Sequence, residues 1–136
     1  DARYTRKGLQ LRGQLYYTHL SNMEAYNRFT AVNGKNNDVA RAMAGYYLEA
    51  AWNVFRIWPS VKTELVPFIR YEEYNTHHKV DSNTQANKAY HNQAWISGLG
   101  WKMTPGAVLK ADIQWNRNGL SSGFDKTFNA GIGIMF

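Results

Sequence analysis

The stretch Phe128-Asn-Ala-Gly-Ile-Gly-Ile-Met-Phe136 alternates without a break. Phe128, Ala130, Ile132, Ile134 and Phe136 take one side of an extended strand, and Asn129, Gly131, Gly133 and Met135 take the other. The first side carries no polar side-chain atom. A strand of this kind needs cover for its oily side, from a second layer of protein or from the hydrocarbon of a bilayer.

Working outward, the 136-residue chain is long enough for one ordinary domain, and its 44% hydrophobic and 15% aromatic content excludes general disorder. Mean hydropathy is negative, at −0.54. No run approaches the roughly eighteen apolar residues of a spanning helix, so any membrane embedding is by strands. The opening Asp1-Ala-Arg-Tyr-Thr-Arg-Lys7 is polar and unlike a signal peptide, so a mature, processed or partial chain is expected. With no Cys there is no disulfide framework, thiol nucleophile or Cys-ligated zinc. A net charge of +6 makes anionic partners plausible: nucleic acid, lipid A phosphates or small anions.

Five further segments share the period of two. About 8–18 sets Leu9, Leu11, Leu15 and Tyr17 against Gln10, Arg12, Gln14 and Thr18; about 45–55 sets Tyr46, Leu48, Ala50 and Trp52 against Tyr47, Glu49, Ala51 and Asn53. About 64–75 sets Leu65, Pro67, Ile69 and Tyr71 against Glu64, Phe68, Arg70 and Glu72, with a bulge at Pro67 as one option, since proline donates no ladder bond. About 92–103 sets Trp95, Ser97, Leu99 and Trp101 against Ile96, Gly98 and Lys102, and about 108–116 sets Leu109, Ala111, Ile113 and Trp115 against Lys110, Asp112 and Gln114. Polar stretches at about 19–43, 77–91 and 117–126 read as long loops. The first holds Ser21-Asn-Met-Glu24, which has the form of a helix capping box. Trp58-Pro-Ser60 and Thr104-Pro-Gly106 read as tight connections.

Long and short connections are thus expected to alternate strictly, which is the asymmetry of an outer-membrane barrel. Aromatic residues near strand ends (Tyr16, Tyr17, Trp52, Phe55, Trp58, Tyr71, Tyr74, Trp101, Trp115 and Phe136) suit interfacial girdles. The closing strand, through Phe128, Ile132, Ile134 and Phe136, resembles the membrane-assembly signal of that class. The expected fold is an all-β, transmembrane antiparallel barrel domain over residues 1–136. Six strands cannot close a porin-sized tube, so a part of a larger barrel, for example one of sixteen strands, is favoured over completion by another chain or two short strands hidden in the loops.

A more specific resemblance rests on Gly45-Tyr-Tyr-Leu-Glu-Ala-Ala-Trp-Asn-Val-Phe55, Leu65-Val-Pro-Phe-Ile-Arg-Tyr-Glu-Glu-Tyr-Asn75, Val108-Leu-Lys-Ala-Asp-Ile-Gln114 and Gly133-Ile-Met-Phe136. From Gly8 onward these look like the C-terminal portion of the phosphate-selective porin O and P family. The resemblance implies an outer-membrane channel for small solutes, with anions or phosphate preferred. Its implied partners are outer-membrane lipid and lipopolysaccharide and the barrel-assembly machinery, with a homotrimer possible by analogy with porins.

By parity, Arg12, Gln14, Glu49, Asn53, Arg70, Glu72, Lys102, Lys110, Asp112 and Gln114 line the lumen. Such interspersed charges either set up a field that selects ions or satisfy one another across strands and stiffen the wall. Arg12 and Arg70 are the first to test, since guanidinium groups bind phosphate well. No catalytic residue, cofactor or metal site is expected. His19, His77, His78 and His91 show no ligand spacing and read mainly as solvated loop residues. Ser97 lies on the oily face without a His partner placed by sequence. Basic and aromatic residues take opposite faces over 108–116, which argues against nucleic-acid binding. The alternative from a different class is a soluble, ligand-binding β-sandwich or small barrel.

Overall fold

The computed structural model describes residues 1–135, and these form one antiparallel sheet of seven strands. The strands are β1 (Ala2–Arg6), β2 (Leu9–His19), β3 (Ala42–Trp52), β4 (Glu64–Lys79), β5 (His91–Thr104), β6 (Ala107–Asn118) and β7 (Asp125–Ile134). Each pairs with its neighbours in chain order, so the sheet is open, with β1 and β7 as its edges. The all-β antiparallel class is as expected, but there is one strand more than the sequence suggested. Lys7 (φ 49°) and Gly8 (φ 85°) make a two-residue turn that folds β1 back on β2, with Arg3 opposite Arg12. Phe136 lies outside the described residues.

From β2 to β7 the strands run 10 to 16 residues. That is roughly twice the usual five or six and meets the 9–11 needed to cross a bilayer. Pro67 causes no bulge. The β4–β5 register is continuous from Glu64↔Lys102 to Asn75↔His91, and the β3–β4 ladder reaches only to Ala51↔Phe68, one rung short of the proline.

The connections correct the expected strict alternation. One end of the sheet, the turn end, carries the two-residue turns 7–8 and 105–106, but also the longer link 53–63. The other, the loop end, carries 20–41, 80–90 and 119–124. The expected contrast was blurred because β3 stops at Trp52, and the chain then turns through a 3-10 segment, Val54–Ile57, while β4 runs on to Lys79. Asn53 is therefore not a wall residue: it caps that 3-10 turn, its side chain accepting from the Phe55 N–H at 3.2 Å.

The helix expected in the first loop is present as α1 (Met23–Phe29), without the capping box. Asn22, not Ser21, takes the N-cap position, at φ 61° with no side-chain bond, and the Glu24 carboxylate is held by Arg28 and by Asn83 rather than reaching back to the cap. Asn27 is buried and ties α1 to Val39 by bonds of 2.9 and 3.1 Å. The loops 20–41 and 80–90 are further joined by Arg41–Asp81 at 3.9 Å and by the Tyr90 hydroxyl donating to Asp38 at 3.2 Å. The Asp38 charge raises the pKa of the Tyr90 phenol above its ordinary value, with that hydrogen bond and then burial adding to it.

Candidate functional site: a charged hollow backed by an oily face

Cross-strand partners share a face of the sheet, so the register sorts the side chains. One row on the first face runs Arg12, Glu49, Arg70, Ile96, Gln114, Thr127; the next runs Gln10, Ala51, Phe68, Gly98, Asp112, Asn129. Residues of these rows, with Val66, Gly100, Lys102, Val108 and Lys110, surround a hollow of about 370 Å³. Five consecutive strands enclose one hollow, so this face is concave. Close packing of the wall depends on missing side chains: a Cβ at Gly98 would fall 2.6 Å from the Phe68 ring, and one at Gly45 would strike the Tyr16 ring.

The charges here are mostly paired. Glu49, only 11% exposed, accepts from Arg70 Nε at 3.0 Å and Nη2 at 2.7 Å, while its other oxygen lies 3.7 Å from Arg12. Arg70 also approaches Glu72 at 3.8 Å and lies 4.6 Å over the Tyr47 ring. Lys102 bonds Glu64 at 2.8 Å, and Asp112 accepts from Gln114 at 3.2 Å and Asn129 at 2.9 Å. Lys110 is different: its ammonium lies 5.9 Å over Phe68, with no carboxylate partner among the described residues. The structure thus brings Arg12, Glu49, Arg70, Lys102, Lys110, Asp112 and Gln114 round one hollow. Glu72 and Gln14 stand one row further toward the loop end, and Asn53 is elsewhere. Arg3, opposite Arg12, is a cation the sequence reading missed. The alternation of Ala2, Tyr4 and Arg6 with Arg3 and Thr5, followed by Lys7-Gly8, was the available signal.

The second face is convex and oily. Leu48 is 62% exposed, Phe128 68%, Ile132 63% and Ile113 41%, and among the described residues no second layer covers them. Toward the loop end, Tyr71, Trp95 and Trp115 form one aromatic row, the Tyr71–Trp95 rings 4.7 Å apart and Trp95 opposite Trp115, and Tyr46, one rung further out, brings its ring within 6.0 Å of that of Tyr71. Toward the turn end stand Trp52 and Trp101. From Trp95 to Trp101 is about 20 Å along the strand at ~3.4 Å per residue. Tyr16 and Tyr74, expected in a girdle, instead flank Gly45 on the concave face. Phe55 and Trp58 lie in the 53–63 link.

His77 and His91 are not free loop residues, whereas His19 and His78 are exposed near the ends of β2 and β4. His77 is buried in β4, its ring 4.1 Å from that of Tyr90, and Nδ1 accepts from the Asn87 N–H at 3.3 Å. His78 also belongs to β4, its ring 6.0 Å from Tyr17, and His91 Nε2 lies 2.6 Å from Glu73. Extension of β4 past Asn75 put His77 and His78 on a strand. Among the described residues no group of three metal-ligating side chains occurs. No helix is long and apolar enough to cross a membrane, which leaves crossing by strands open.

Neither a protein-family model nor a solved structure matches the chain. Over 76 residues, 56% of the chain, it is 36% identical to a protein of Aquifex aeolicus (strain VF5) described as uncharacterized. The matched stretch spans only 17% of that relative, which is therefore several times longer.

Proposed function

We propose that this sheet is a sector of a transmembrane β-barrel in a bacterial outer membrane, and that the barrel is a water-filled channel for small solutes with a mild preference for anions. The observation that carries the reading is the exposed convex band, oily between two aromatic borders, behind a concave face that holds the paired charges. Soluble monomers rarely expose a continuous apolar surface of this extent. Hydrocarbon also demands that strand edges be paired, so β1 and β7 must be continued by further strands. The much greater length of the Aquifex relative leaves room for them. A lumen needs more than eight strands to stay open.

The porin O and P resemblance fits this reading, with one refinement on phosphate. Arg12 and Arg70 are engaged by Glu49 and Glu72, so they act chiefly as wall bracing. Anion preference then falls to the less neutralised cations, Lys110 and Arg3. A passive passage of this kind needs no catalytic group, metal or cofactor.

The test is made on protein extracted in detergent. Unheated samples are expected to run faster than boiled ones on a detergent gel, and planar bilayers are expected to show stepwise conductance with a reversal potential of anion-favouring sign under a salt gradient. Stable solubility without detergent and an absence of conductance would overturn the reading in favour of a soluble ligand-binding sheet.

A further inference from the structure

One rung beyond the aromatic row, toward the loop end, the convex face changes character. Next after Tyr71, Trp95 and Trp115 come Glu73, Gln93 and Arg117, and Lys126 stands opposite Trp115 on β7. Glu73 is occupied, accepting from Tyr71 at 2.7 Å and Tyr46 at 3.1 Å and lying 2.6 Å from His91. Gln93 separates it from Arg117 in the register, so it does not neutralise that cation. Arg117 is held in place, Nε donating to Gln93 at 2.8 Å with the guanidinium 4.7 Å over Phe124, and it has no carboxylate partner among the described residues. Both Arg117 and Lys126 are exposed. Beside Arg117 is a polar hollow of about 190 Å³ bounded by His91, Gln93, Asn118, Gly119 and Ser121. Lys88, on the neighbouring loop, packs against Gly119, whose N–H donates to its carbonyl at 3.1 Å.

Aromatic rings followed by fixed cations mark the depth at which hydrocarbon gives way to headgroups. A cation turned toward lipid at that depth is best satisfied by an anion the lipid itself carries. We propose that Arg117 and Lys126, with Lys88 close by, bind a phosphate of an outer-leaflet glycolipid of the lipid A class, seated against the hollow beside Arg117. The site rests on the membrane reading above, and it lies at the end of the sheet that carries the longest loop, 20–41, and neither of the two-residue turns, which on that reading is the external end of a barrel. An Arg that stacks on Phe124 presents its remaining N–H groups in a planar fork suited to phosphate oxygens, which a free lysine does not.

Native mass spectrometry of the detergent-extracted protein, titrated with lipid A and with the same lipid stripped of its phosphates, tests the site. Wild type is expected to hold the phosphorylated lipid about tenfold or more tighter. The doubly substituted Arg117→Gln, Lys126→Gln protein should lose that preference, Arg117→Lys should keep part of it, and Lys62→Gln at the turn end should leave it unchanged. Equal binding of the two lipids by wild type overturns the site without needing any variant to fold, as does a preference that persists in the double variant. The gel shift on heating is recorded for every sample. Its loss in wild type removes the membrane reading, whereas its presence with equal lipid binding removes the headgroup site alone.

Discussion

On β5, Trp95, Ser97, Leu99 and Trp101 are exposed, while Ala94, Ile96 and Gly100, one residue out of step, are buried. In a half-solvated soluble sheet the large apolar side chains would be the covered set. Curvature, as well as polarity, sorts these residues between the two faces. A concave wall is crowded and takes Gly45, Ala51, Ala94, Gly98 and Gly100 between its ion pairs; the convex face has room for indoles.

The sharpest way to break this contrast is to charge the convex band. Leu99→Arg is expected to cost about 2–4 kcal/mol in folding into vesicles, read by denaturant titration, whereas Gln114→Arg on the concave side should stay within about 0.5 kcal/mol. Equal small effects would mean that both faces meet water. Next in size, Gly98→Val puts a branched side chain into the Phe68 ring and should cost about 1–3 kcal/mol by the same titration, with Phe68→Ala in the same chain relieving part of it. Glu49→Gln leaves Arg70 and Arg12 without their shared carboxylate. A loss of about 1–2 kcal/mol is expected, together with a reversal potential moved toward anions. Lys110→Gln is predicted to leave stability within about 0.5 kcal/mol while reducing anion preference in bilayers; an unchanged reversal potential would remove Lys110 from the selectivity argument.

Much of this contrast is legible in the sequence, because a period of two assigns a face whatever the partner strand is. Leu109, Ala111, Ile113 and Trp115 are on one face as read, and Lys110, Asp112 and Gln114 on the other. Partnership is another matter. That Glu49 faces Arg70 rather than Phe68 or Glu72 depends on the register of β3 against β4, which turn geometry sets and alternation does not encode. Asn53 continues the pattern of β3, yet its carboxamide finds the Phe55 N–H and starts a 3-10 turn, a local competition invisible to periodicity. β1 was missed because five residues bearing Arg3 and Arg6 carry little apolar signal. His77 was read as solvated because the polar run around it hides the end of β4, and the ring that covers it, Tyr90, lies at the far end of the next loop.

Every strand is bonded only to those just before and just after it in the chain. Within this sheet no strand pairs with a remote partner, so loop-closure entropy is met in small steps and the seven strands can zip up hairpin by hairpin. The same neighbour-only wiring makes a hairpin the natural quantum of change in such a sheet: duplicating or deleting one alters its width and leaves every other rung as it was.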